Sequence, residues 1–137
     1  AHGSSGPTVL FTGDLALLHD LSGLVAARRL GLDLTVVVVD NDGGGIFLFL
    51  PVADERHVDH QRLFHTPHGL DLGLAAPLAR ATLDRVDDRA GLDLALATSI
   101  GHPGVHLVHV AVDASTNVGL HRAATSAVAD ALDRVRP

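Results

Sequence analysis

Continuous apolar runs alternate along this chain with stretches in which apolar residues recur every three to four positions. The first pattern suits strands covered on both faces of a parallel sheet, and the second suits helices that bury one stripe. Residues 7–12 (PTVLFT) form a short, partly β-branched run that stops at Gly13-Asp14. Leu17, Leu18, Leu21, Leu24 and Val25 then recur at helical spacing, and Gly31 is placed to close that helix. Residues 34–39 (LTVVVV) predict the next strand, which runs into Asp40-Asn41-Asp42-Gly43-Gly44-Gly45. The stretch 7–45 is therefore one strand–helix–strand unit.

Beyond it, residues 46–50 (IFLFL) are too apolar for a free loop and predict a short helix packed on the sheet. Residues 51–60 are charged and turn-rich, as an exposed excursion would be. In residues 61–71 (QRLFHTPHGLD), Thr66-Pro67 stops a helix, Gly69 permits a positive φ, and Asp71 can cap the helix that follows. Residues 72–80 read as a helix broken by Pro77 into two short pieces. A strand over 81–86 follows, then a helix capped by Asp87-Asp88 and running to about Ile100, a turn over 101–104 and a buried strand over 105–112. The last helix opens at 113–116 and carries Leu120, Ala124, Ala127, Val128, Ala131, Leu132 and Val135 on one stripe. The expected fold is α/β, a three-layer sandwich around a mostly parallel sheet of at least four strands.

A right-handed crossover brings the carboxyl ends of its two strands to the same edge of the sheet. If the strands are neighbours, Asp14 and Asn41 leave it only about 5 Å apart. A carboxylate, a side-chain amide oxygen and a loop carbonyl offer three oxygens to a small hard cation and leave the rest of an octahedron for phosphate oxygens and water. The helix beginning at Leu15 directs N–H groups toward the same edge, which favours an anion there. The combination describes a seat for a Mg-diphosphate. Either half alone has an ordinary structural role open to it, since Asp14 could simply cap a helix and 41–45 could simply be a turn. Their joint spacing argues for the seat.

Gly13-Asp14, twenty-six residues, then Asn41-Asp42-Gly43 resembles the signature of thiamine-diphosphate enzymes, which begins Gly-Asp-Gly and ends Asn-Asn. Leu15 stands where most of that superfamily has a second Gly, and Asp40 stands where it has the first Asn. Gly-Asp-Leu, Leu18-His19-Asp20, the run Asn41 to Phe47, Leu50-Pro51 and the LFHTPHGLD run (63–71) are similar to one branch, the 2-succinyl-5-enolpyruvyl-6-hydroxy-3-cyclohexene-1-carboxylate synthases of menaquinone biosynthesis. The similarity covers only the last domain of such enzymes. It implies the thiamine-diphosphate-binding fold, with Asp14 and Asn41 ligating Mg2+ by their side chains and Gly43 by its carbonyl. It further implies that Gly13, Leu15 and Gly44 lie against the cofactor, that Ile46 and Phe47 face its thiazolium, and that Phe47 and Leu50 lie near substrate.

By the same resemblance, the intact enzyme decarboxylates 2-oxoglutarate and adds the succinyl unit to isochorismate. The carboxylic acid that addresses the cofactor's aminopyrimidine comes in that family from a pyrimidine-binding domain, of the same or a neighbouring subunit. Glu55, the chain's one glutamate, matches no such position, so no catalytic residue is assigned. The chain opens at Ala1-His2-Gly3 without Met, with 2–6 as an entry loop. The expectation is a single domain or fragment over 1–137, truncated at its N-terminal edge, without the pyrimidine-binding domain and inactive alone. Uncovered apolar surface would then favour a homo-oligomer.

At 137 residues and 47% hydrophobic content, the chain has room for one folded core. A net charge of −6 without a basic run argues against nucleic acid and anionic membranes as partners. The absence of cysteine removes disulfides and thiolate chemistry. With no apolar run of membrane-spanning length and no signal-peptide pattern, the expectation is a cytoplasmic protein. In the histidine-rich segment 57–68, His57 and His60 are too loosely spaced, with no answering cluster, to suggest zinc. His65 and His68 read as turn residues, with proximity to a bound acid as the alternative. His106 and His109, three apart on a strand, fall on opposite faces, which argues against a shared metal.

Three other functions remain open from sequence. One is another thiamine-diphosphate enzyme, of acetolactate synthase or 2-oxo acid decarboxylase type, against which Leu15 and the LFHTPHGLD run argue. A second is a non-catalytic α/β assembly fragment, which metal-dependent cofactor uptake would rule out. A third is a nucleotide-binding Rossmann domain, weakened because no G-x-G-x-x-G follows the first strand.

Overall fold

The computed structural model describes residues 6–136. The entry loop expected over 2–6 lies, apart from Gly6, outside the described residues. Four strands, β1 (Thr8–Gly13), β2 (Leu34–Asp40), β3 (Thr82–Val86) and β4 (Val105–Ala111), form one wholly parallel sheet in the order β1-β2-β4-β3. β1 and β2 are direct neighbours, with Gly13 opposite Val39, and Asp40 lies opposite Ala111 on β4. All carboxyl ends thus share one edge, the place where ligands sit in open α/β sheets.

The continuous apolar runs of β2 and β4 follow from cover on both faces. Val36, Val38 and Leu107 are fully buried on one face, beneath α1 (Asp14–His19), α2 (Leu21–Arg29) and α3 (Ala75–Ala79), which contribute Leu17, Leu24, Ala76 and Ala79. Val37 and Val108 point to the other face, where α4 (Arg89–Ser99) lays Leu92, Ala95 and Leu96 against them. The three-layer sandwich expected from the pattern is present.

Two expected elements differ in detail. The single helix after β1 is two helices broken at Asp20, whose N–H still bonds to Ala16 and Leu17 while its carboxylate caps α2 by accepting from the Gly23 N–H. Hydrophobic spacing runs through the break because both helices face the same core. Gly31 does end α2, at φ +62°, with Gly31 and Leu32 N–H groups returning to Arg28 and Ala27 as in a Schellman turn. The segment 72–80 divides, but before Pro77 rather than at it: a 3-10 turn over Leu72–Leu74, capped by Asp71, passes into α3, which takes Pro77 into its first turn, where no intrahelical N–H is needed.

α5 (Ala114–Val135) forms at full length behind its Asp113 cap, yet none of its residues is buried. Leu120, Val128, Leu132 and Val135 remain exposed, and α5 packs chiefly on the turn at Gly45–Phe49, where Phe49 meets His121 edge-on at 5.5 Å. Periodicity identified the apolar face but could not say what covers it. At the opposite side, β1 lies at the sheet edge with Phe11 73% exposed.

Candidate functional site

The turns that leave β1 and β2 meet at the carboxyl edge of the sheet. Asp14 opens α1 and is 4% exposed, a depth at which an ionised carboxylate needs compensation. It receives two short backbone bonds, from Leu15 N–H to Oδ1 and from Gly43 N–H to Oδ2, each 2.7 Å. The second bond ties the β1 turn directly to the β2 turn, across twenty-nine residues of sequence.

Asn41 completes the meeting point. Its side-chain oxygen faces two other oxygens, Asp14 Oδ2 at 3.2 Å and the Gly43 carbonyl at 2.6 Å, while its Nδ2 packs against Gly45. Three oxygens brought together with no proton between them repel unless the amide turns over to donate or a cation sits among them. Adjacent ligands of an octahedral Mg2+ lie about 2.9 Å apart, from bonds of about 2.05 Å. The observed separations match that edge, and the donor set of carboxylate, amide and carbonyl oxygens suits a hard divalent ion. The residues therefore fit Mg2+.

More negative charge surrounds this cluster than its three oxygens. Asp40, at the end of β2, is 9% exposed, and its carboxylate accepts from His109 Nε2 at 2.8 Å and from Asp42 N–H at 2.9 Å. Burial pushes its carboxyl up, but the hydrogen bonds from His109 and Asp42, with the His109 and His68 charges, outweigh burial and hold it below the ordinary aspartate value. His68 bridges the carboxylates, with Nε2 3.3 Å from Asp14 and 3.6 Å from Asp40. Its Nδ1 accepts from Leu70 N–H at 3.0 Å, so the neutral ring carries its proton on Nε2 and donates toward Asp14.

The glycines of the turn are needed for close approach. Gly43 has φ +135°, and a Cβ there would collide with the His65 carbonyl. His65, 7% exposed, ends a single π-helical turn over Gln61–His65 and precedes Thr66 at φ +46°. A left-handed conformation at a β-branched residue costs about 1–3 kcal/mol. The Gly44 N–H donates to the His65 carbonyl at 2.7 Å, so Gly44 is held to the protein and its N–H is spent.

The structure brings Asp14, Asn41 and Gly43 together as expected and places Gly13, Leu15 and Gly44 beside them. The free N–H groups expected at the start of α1 are fewer, because Leu15 N–H is engaged by Asp14 and the helix ends after six residues. Ile46 and Phe47 lie on the 3-10 turn just beyond the glycines, with Ile46 72% exposed and Phe47 edge-on to Phe64 at 6.1 Å. Leu50 ends that turn and is also exposed. Glu55 lies exposed in the following loop. His60, one of the two histidines considered for zinc, stacks on Phe64 and bonds through Nε2 to the Phe47 carbonyl. Sequence reasoning did not assign Asp40, Asp42 or His109 to the site; the Asp40 departure from Asn-Asn was the available signal, while His109 lay on a strand remote in sequence.

Comparison with known proteins agrees with this geometry. Residues 1–110 match the family described as "Thiamine pyrophosphate enzyme, C-terminal TPP binding domain". The 2-succinyl-5-enolpyruvyl-6-hydroxy-3-cyclohexene-1-carboxylate synthase of Myxococcus xanthus is 50% identical over 115 residues, 83% of this chain and 19% of that protein. The synthase of the same name from Chloroflexus aurantiacus is 42% identical over 132 residues, 96% of this chain and 22% of that protein. The chain spans about a fifth of the length of these relatives. Benzoylformate decarboxylase from Polynucleobacter necessarius superposes with a TM-score of 0.67 at 19% identity, covering 79% of this chain and 20% of that one, a likeness of fold. With a matching domain over most of its length and relatives this similar, the chain belongs to the C-terminal TPP binding domain family of thiamine pyrophosphate enzymes, whose cofactor is thiamine diphosphate with Mg2+.

Proposed function

We propose that this chain holds the Mg2+-diphosphate end of thiamine diphosphate within a synthase that decarboxylates 2-oxoglutarate and adds the succinyl unit to isochorismate. The observation that carries the reading is the meeting of the Asn41 side-chain amide with Asp14 Oδ2 at 3.2 Å and the Gly43 carbonyl at 2.6 Å. The substrates rest on the kinship with the Myxococcus xanthus synthase and on the LFHTPHGLD run that distinguishes this branch.

Bound thiamine diphosphate supplies a nucleophilic carbon that attacks a 2-oxo acid and lets carbon dioxide leave. This chain's residues do the holding. Asp14, Asn41 and Gly43 offer the cation three oxygens, and the charge on Asp40 adds to the field that draws it in. Ile46, Phe47 and Leu50 present an apolar wall next to the anchor, which excludes water from a reacting centre beside it. Glu55, the chain's one glutamate, is exposed in the loop after the 3-10 turns, and no role at the pyrimidine is assigned to it. Proton delivery there falls to a pyrimidine-binding domain of the same or a neighbouring subunit. The exposed apolar residues Phe11, Leu74, Leu78 and Leu132 favour such an assembly, including a homo-oligomer. No helix among the described residues is long and apolar enough to cross a membrane, and the charge of −6 disfavours nucleic acid; a cytoplasmic location fits both.

The test is a chimera in which this chain replaces the matching segment of the Myxococcus xanthus synthase. Carbon dioxide release from 2-oxoglutarate that depends on isochorismate, and that Asp14→Ala abolishes, is expected. Turnover of pyruvate or benzoylformate in place of 2-oxoglutarate would overturn the substrate assignment.

A further inference from the structure

We propose that the segment 61–70 is a clasp that sets the shape of the cation-binding turn, with His65 and His68 as its positioning residues. The proposal rests on the reading of Asp14, Asn41 and Gly43 as the cation seat. His65 grips the turn on both sides of Gly43. Its Nε2 lies 3.2 Å from the Asn41 carbonyl, and its own carbonyl accepts the Gly44 N–H at 2.7 Å. The Gln61 side-chain amide, 2.7 Å from His65 Nδ1, fixes the ring from one helical turn back by turning its NH2 toward Nδ1 when Nε2 donates to the Asn41 carbonyl.

A second grip comes from the far end of the segment. Gly69 N–H donates to Asp42 Oδ1 at 2.7 Å, and His68 Nε2 reaches Asp14 Oδ2, the same oxygen that receives Gly43 N–H. Leu70 N–H on His68 Nδ1 commits that ring to donate from Nε2, the tautomer that suits an anionic ligand oxygen. Asn41, Asp42, Gly43 and Gly44 are thus each bonded to or packed against the clasp.

Ordinary core packing does not account for the segment. Leu63 and Leu70 are 64% and 54% exposed, whereas the buried residue is the polar His65. The π-helical turn and the left-handed Thr66 are backbone states that persist only where surrounding contacts over-determine them. Those contacts are the bonds to the cation turn. Partners of this kind orient metal ligands, and their loss weakens metal binding by about 10- to 100-fold.

The experiment uses the full chain with Mn2+ in place of Mg2+, titrated in the presence of thiamine diphosphate and followed by the electron paramagnetic resonance signal of free Mn2+. Amide exchange at Gly43 and Gly44 is measured by NMR in cation-free protein. His65→Ala is expected to raise the Mn2+ half-saturation at least about tenfold and to speed exchange at both glycines, leaving Val36 and Leu107 protected. His65→Gln, whose Nε2 can still donate to the Asn41 carbonyl, restores most of the affinity. His68→Ala leaves His65 in place and weakens Mn2+ binding through Asp14 alone, which keeps the proposal testable should His65→Ala not fold. Unchanged Mn2+ affinity in folded His65→Ala or His68→Ala, or equal loss in His65→Ala and His65→Gln, overturns the clasp. If the parent chain binds no Mn2+ the cation seat itself fails, and unchanged glycine exchange in His65→Ala would then overturn the clasp separately.

Discussion

Asp40→Asn restores the residue that the resemblance places at this position, and the structure gives the sign of its effect. The Asp40 and Asp14 carboxylates lie with ligand oxygens within 4.8 Å of each other. Two like charges at that distance repel by about 3.5 kcal/mol at an effective dielectric of 20 and about 0.9 kcal/mol in water. His109 Nε2 bonds to the Asp40 carboxylate and His68 lies between the two carboxylates, which offsets part of that repulsion. The hydrogen bonds from His109 and Asp42 nonetheless hold Asp40 ionised in the cation-free site, and a divalent cation seated beside Asp14 adds attraction to that charge. A net change of about 1–2 kcal/mol is therefore expected, equivalent to roughly 5- to 30-fold weaker cation binding in the variant.

The fold should accept the substitution. The Asn oxygen keeps the Asp42 N–H, and its amide nitrogen can donate to His109 Nε2 once that ring takes the Nδ1–H tautomer. Calorimetric titration of Mg2+ with thiamine diphosphate present, paired with urea unfolding in EDTA, reads both halves. Weaker Mg2+ binding is expected, with cation-free stability equal to or slightly below the parent's, since the ionised Asp40 is itself favoured by His109 and Asp42. Unchanged Mg2+ affinity in the folded variant would refute the electrostatic reasoning.

Gly43→Ala combines a positive φ with collision against the His65 carbonyl, and should cost at least about 2 kcal/mol by urea denaturation. Thr66→Gly relieves a left-handed β-branched residue and should be neutral to about 1 kcal/mol stabilising in the same assay. Leu107→Ala removes a fully buried side chain from the middle of β4 and should cost about 2–5 kcal/mol. Asp40, Asp71 and Asp113 all have carboxyls held below the ordinary value, Asp40 through His109 and Asp42 despite burial, Asp71 through Arg85, and Asp113 through Ser115 and Thr116. Their contribution is present above the unfolded aspartate value of about 3.9 and is lost as pH falls through the lower folded values, so urea midpoints should drop below about pH 4. Asp40→Asn should flatten that fall.

The sheet was legible because β2 and β4 are covered on both faces and read as near-continuous apolar runs, which neither a half-exposed strand nor an amphipathic helix produces, and because α4 and α5 open behind recognisable Asp caps. The break at Asp20 escaped hydrophobic periodicity, which follows the buried face and ignores backbone bonds. The uncovered stripe of α5 marks the same limit, since amphipathicity names a face without its partner. Asp14, Asn41 and Gly43 could be found from spacing because a βαβ unit converts sequence separation into adjacency at one sheet edge. His109 and the clasp could not, since β4 and the 61–70 segment come together with the turn only through tertiary packing. Asp40 was visible as a departure from a pattern, but its meaning depended on the histidines beside it.

Calorimetric titration of thiamine diphosphate into the chain, with Mg2+ and then with EDTA, in the parent and in Asp14→Ala, tests the cation seat most directly. Binding that requires Mg2+ and disappears in folded Asp14→Ala is the expected result. Binding of equal strength in EDTA, or undiminished in Asp14→Ala, would contradict an anchor built on Asp14, Asn41 and Gly43.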